Sequence, residues 1–98
     1  METKKLTGTQ DQIDAAEKIR ERILKSIEAE AAQYAADLPD TDQADQIRFL
    51  GHLASQQTDA AWWMSVKLFV IQDSYLAPAI MKKAGASMAD YATWKAGK

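Results

Sequence analysis

One histidine, fourteen acidic side chains and no cysteine are all that this chain of 98 residues offers as metal ligands or general bases. A helical zinc or di-iron site pairs its histidine with a second histidine four residues away or a glutamate three before it. Around His52 those positions hold Arg48, Gln56 and Phe49. His52 therefore reads as a partly exposed helical residue and not as a base or ligand. Asp37, Asp40 and Asp42 cluster in one stretch, but they lack the glycine and terminal glutamate of a calcium loop, and helix capping explains them. Glu17, Glu21 and Glu28 alternate with Lys18, Arg20, Arg22 and Lys25, the pattern of a solvated helix face. The four glycines stand far apart, so there is no phosphate-cradling loop. Without cysteine there are no disulfides or thiolate sites. No catalytic residue, metal or cofactor is expected, and the protein is expected not to be an enzyme.

Lys82, Lys83, Lys95 and Lys98 concentrate positive charge near the C-terminus. Residues 78–95 can be laid over a helix-turn-helix, with Gly85 at the turn and Tyr91 and Trp94 anchoring the second helix. The reading helix would then present Ser87, Met88, Ala89, Asp90, Ala92 and Thr93. It has no arginine for guanine and sets a carboxylate near phosphates. DNA binding through Lys82, Lys83 and Lys95 is therefore the alternative reading, below protein binding.

The elements that must position these residues are helices. Ile13, Ala16, Ile19, Ile23, Ile27, Ala31, Tyr34 and Leu38 recur every three or four residues, which predicts a long amphipathic helix capped by Thr9 or Thr7. Asp14–Lys18 and Glu21–Lys25 are i,i+4 pairs on its outer side. Pro39 ends it near Asp37. A second, shorter helix follows the Asp40–Asp42 caps, with Ala44, Ile47, Leu50 or Gly51, and Ala54 on one face, and Gln56-Gln57-Thr58 ends it. Thr58 or Asp59 caps a third helix, expected to reach Ser74 or Tyr75. Pro78 to Ala84 forms a fourth segment, stopped by Gly85, and Ser87 caps a last turn or two. The fold class is all-α, a small bundle of one long N-terminal helix plus three or four shorter ones. It is a single domain over residues 1–98, with residues 1–6 a flexible tail.

With 47 per cent hydrophobic and 27 per cent charged residues the composition is that of a folded protein. A net charge of −2 supplies neither a basic field for nucleic acid nor the density of an acidic mimic. The N-terminus has no apolar signal core, and residues 59–71 fall short of the roughly 20 needed to cross a bilayer. The expectation is a cytoplasmic protein without membrane contact.

Those residues, Asp-Ala-Ala-Trp-Trp-Met-Ser-Val-Lys-Leu-Phe-Val-Ile, are the most apolar run. Adjacent residues on a helix point about 100° apart, so one neighbour does not cover both Trp62 and Trp63. This helix is expected to be the axis of the bundle, with Trp63, Val66 and Val70 inward and Trp62 nearer the boundary. Aromatic residues and methionine anchor interfaces. Trp62, Trp63, Phe69, Tyr75 and Trp94 are the candidate partner-binding residues, for a foreign protein or for a homodimer.

Leu6-Thr7-Gly8-Thr9-Gln10-Asp11-Gln12-Ile13-Asp14-Ala15-Ala16-Glu17-Lys18-Ile19-Arg20 resembles the N-terminal LTGTxxQIxWAxxIR pattern of short uncharacterised phage and mobile-element proteins. Ala60-Ala61-Trp62-Trp63-Met64-Ser65 is similar to their later AxxWID helix. Ala15 replaces the usual aromatic, and Ser65 the usual acid. The resemblance implies a phage or mobile-element accessory protein working inside a bacterial host cell. Proteins of that context act by binding a host or rival protein, and inhibitors of host defence such as anti-CRISPR proteins are one such class.

Overall fold

The computed structural model describes residues 4–67 and 76–97, which form five helices. They are α1 (Gln10–Asp37), α2 (Gln43–Ser55), α3 (Ala60–Ser65), α4 (Leu76–Ala84) and α5 (Met88–Ala96). Among the described residues the one β pairing is an isolated parallel bridge between Thr7 and Asp59. The fold is an all-α arrangement of one long N-terminal helix with four shorter ones.

Local chemistry sets most helix ends. At the start of α1, Thr9 Oγ1 accepts the Gln12 amide (3.2 Å) and the Gln12 side chain accepts the Thr9 amide (3.1 Å), a reciprocal capping box. Leu38 closes the helix by donating its N–H to Tyr34 (2.8 Å), and Pro39 cannot continue it. Asp42 precedes α2 without a side-chain cap bond. Asp59 caps α3 by accepting from the Ala61 amide at 3.0 Å. Gly85 takes a left-handed φ of +65°. The amides of Gly85 and Ala86 then reach the carbonyls of Lys82 and Met81, closing α4 as a Schellman turn. Asp90 opens α5 by accepting from both the amide and the hydroxyl of Ser87 (2.7 and 3.2 Å).

Core contacts depart from the expected centre. Of the helices, α2 touches α1, α4 and α5, whereas α3 lies against α1. Among the described residues the hub is therefore the α1–α2 hairpin, and α3, the described part of the expected tryptophan helix, flanks it. Ile23 and Ile27 of α1, Ala54 of α2, Trp63 of α3 and Leu76 and Ile80 of α4 share one buried cluster. A second group sets Phe49 of α2, absent from the expected core, 5.5 Å from Tyr91 and 5.4 Å from Trp94, the two expected anchors of the last helix.

Two expectations need correction. Helix α3 stops at Ser65, and Val66 and Lys67 form a turn. Ser65 Oγ bonds back to the Trp62 carbonyl (2.6 Å), which also accepts the Val66 amide, and Arg22 of α1 donates to the Lys67 carbonyl beyond the helix end. The expected continuation to Ser74 or Tyr75, with Val70, lies outside the described residues beyond Lys67. The N-terminal segment is not a loose tail throughout, because Leu6 is buried in the core at 2 % exposure. Residues 4–8 form a strap along the α2–α3 junction. Thr7 donates to Thr58 (2.6 Å), Ala60 donates to Thr7 (3.1 Å), and Lys4 donates to Ser55 (3.3 Å). Arg20 holds the Lys4 carbonyl from α1 at 2.5 Å.

Candidate protein-binding surface

The five candidate contact residues do not make one patch. Trp63 is fully buried, and its indole N–H donates to the Gln57 carbonyl at 3.1 Å. That bond satisfies the one polar atom of the side chain, so Trp63 is a core residue fixed in orientation. Trp62 is half-buried and meets Trp63 edge-on at 4.9 Å between ring centres. Its neighbours Ala61 and Met64 are exposed and half-buried. Trp94 sits elsewhere, on α5, half-buried among Phe49, Tyr91 and His52. Phe69 and Tyr75 lie outside the described residues. Trp62 is thus the one indole of α3 with a face left at the surface.

The lysines of the DNA-binding alternative are partly spent on ion pairs. Lys83 reaches Asp59 at 3.5 Å, and Lys95 bridges from α5 to Asp42 (2.5 Å) and Asp45 (3.6 Å) of the α2 start. The hydrogen bond to Asp42 holds the Lys95 ammonium above its ordinary value of 10.5. Lys82 is exposed. Lys95 therefore closes α5 onto α2 and is drawn toward carboxylates, which weakens its fit to a phosphate. The Tyr91 hydroxyl is buried, and the Lys95 ammonium lies 5.9 Å from the centre of its ring.

His52 stacks on Trp94 at 6.0 Å, a surface contact of two rings and not a ligand geometry. Among the described residues no three His, Asp or Glu side chains gather closely enough to hold a metal ion. The Asp37–Asp42 stretch disperses, as Asp37 accepts from Gln33 (2.6 Å) and Asp42 pairs with Lys95. Of the two expected i,i+4 pairs, Glu21–Lys25 forms at 3.0 Å, while Asp14 is taken by Gln10 at 2.8 Å. No helix among the described residues is long and apolar enough to cross a membrane.

A second surface was not anticipated. Between α1 and α2 runs a groove of about 540 Å³ with Leu24, Ile27 and Gly51 as its apolar lining. Its rim carries Glu17, Arg20, Glu21, Lys25 and Glu28 from α1 and Arg48 from α2. The apolar periodicity of α1 did not single it out, since Leu24 lies beside Ile13 and Ala31 at the edge of the same stripe. Compared with protein-family models, curated proteins and solved structures, the chain matches none.

Proposed function

We propose that this is a small, non-enzymatic accessory protein of a phage or mobile element that acts by binding another protein. Its partner is a component of the bacterial host, and inhibition of a host defence system, in the manner of anti-CRISPR proteins, is the role that its resemblance favours. The observation that carries the binding role is Trp62: a fully satisfied, buried Trp63 supports it from below, while its own outer face stays at the surface beside Met64. A large apolar ring on a rigid backing loses little conformational freedom on association, which is what an interface anchor needs. The cytoplasm of the host cell is the compartment in which such a partner would be met.

Affinity capture from host lysate with the wild-type chain and with Trp62→Ala, analysed by mass spectrometry, tests this reading. A host protein retained by the wild type and lost by Trp62→Ala is the expected result. The substitution also removes an edge-on aromatic pair worth about 0.5–1.5 kcal/mol, so thermal melting must accompany the capture. Equal capture by both forms would remove Trp62 from the interface. Duplex DNA co-purifying in a salt-dependent way would favour the DNA-binding alternative instead.

A further inference from the structure

We infer that the α1–α2 groove is a self-association surface, in which α1 of a second copy of this chain lies antiparallel to α1 about a two-fold axis at Leu24. This surface is distinct from the α3 face, and the inference does not depend on the function proposed above.

The argument is one of charge register. Arg20 stands four residues before Leu24 and Glu28 four after it, and both line the groove. With the axis at Leu24, antiparallel helices set Arg20 of each copy against Glu28 of the other, giving two identical ion pairs. A parallel, in-register alignment would instead set Arg20 on Arg20 and Glu28 on Glu28. An isologous interface requires this self-complementarity.

Arg48 extends the match. Ser55, at the end of α2, accepts from Lys4, whose carbonyl Arg20 holds, so the end of α2 lies beside Arg20. Arg48, about two turns earlier, lies beside Ile27 and Glu28, with which it shares the groove. At that level the antiparallel copy presents its residues 20 and 21, so Glu21 of the second copy meets Arg48. Arg48 is half-buried and has no ion-pair partner among the described residues, so this contact would provide one. Leu24, half-buried on the groove, then meets its own copy across the axis.

Sedimentation equilibrium on the full chain across a wide dilution series tests the inference. The expected result is a monomer–dimer equilibrium that weakens with added salt. Glu28→Arg turns both attractive pairs repulsive and should weaken dimerisation by about tenfold. Adding Arg20→Glu to it restores both pairs with swapped signs and should dimerise more tightly than Arg20→Glu alone, which shares its loss of the bond to the Lys4 carbonyl. Glu28 is exposed, so the single variant should keep its helical circular dichroism. A chain that is monomeric at every concentration overturns the inference, as does a dimer indifferent to Glu28→Arg. Loss of the dimer would leave host-protein capture through Trp62 untouched, so the two proposals fail separately.

Discussion

Replacing glycines one at a time by alanine grades three sites that look alike in the sequence and differ sharply in the fold. At Gly97, φ is −84° and a new methyl would sit 3.6 Å from the nearest neighbour, ordinary contact distance, so Gly97→Ala should change stability by less than about 0.5 kcal/mol. At Gly85, φ is +65° but no neighbour lies within 4 Å. The cost there is the left-handed backbone alone, about 1–2 kcal/mol. At Gly8 both penalties meet. Its φ of +145° is strained for any side chain, and the methyl would stand 2.9 Å from Gln12 Oε1 and 3.3 Å from Ala60 Cβ. Gln12 can retreat only by releasing the Thr9 amide, which removes half of the α1 capping box. Backbone strain of about 1–3 kcal/mol and a lost cap bond of about 1 kcal/mol give roughly 2–4 kcal/mol. Each kcal/mol lowers Tm by about 4–8 °C in a domain of this size, so Gly8→Ala should melt roughly 10–30 °C below wild type. Thermal denaturation followed by circular dichroism reads all three. Should Gly8→Ala melt no lower than Gly85→Ala, the close approach of strap to α3 does not hold in solution and the reasoning fails.

Two further outcomes follow from the core and from the α5 ion pair. Trp63→Ala should cost about 3–5 kcal/mol, a large share of the stability of a small domain, and should leave the chain largely unfolded in modest urea where Trp62→Ala stays folded. Comparable urea midpoints for the two variants would contradict their different burial. Because Lys95 titrates above its ordinary 10.5 in the folded chain, its ammonium favours folding in full below that value and loses this effect as pH rises through the raised one. The stability gap between wild type and Lys95→Gln, followed by urea titration from neutral to strongly alkaline pH, should therefore be constant at first and then narrow. A gap that widens with alkalinity would show that Asp42 does not hold the ammonium.

What the sequence made legible was whatever local chemistry decides. The span of α1 follows from Thr9, Gln12 and Pro39, and the close of α4 from Gly85, since each acts within four residues of itself. What it concealed depends on partners far along the chain. Helix α3 stops at Ser65, and the turn after it meets Arg22, 45 residues away, through the Lys67 carbonyl. Leu6 is buried where Thr7 beside it bonds to Thr58 and Ala60, some fifty residues on. Phe49 looked unremarkable until α5 brought Tyr91 and Trp94 against it. The candidate site fared similarly: Trp62 and Trp63 separated as helical geometry requires, but nothing local could reveal that Lys83 and Lys95 are engaged by Asp59, Asp42 and Asp45.

The strap also changes what the motif resemblance means for function. Its two segments, Leu6 to Arg20 and Ala60 to Ser65, are far apart in the chain and meet in space through the Thr7–Asp59 bridge. Gly8 faces Ala60 so closely that neither position tolerates a larger side chain without movement. Thr9 and Gln12 cap α1, Arg20 ties the strap's Lys4 carbonyl, and the tryptophan that aligns with the motif is the buried Trp63. Each of these residues has a structural task that accounts for its type and spacing. Together these residues hold the joint between strap and α3. Residues that choose a partner should then fall outside it, as the exposed face of Trp62, Leu24 and Arg48 all do. On this argument, substituting Ala61 and Ser65, exposed on α3, should leave Tm within a few degrees of wild type, whereas Gly8→Ala and Arg20→Ala should lower it.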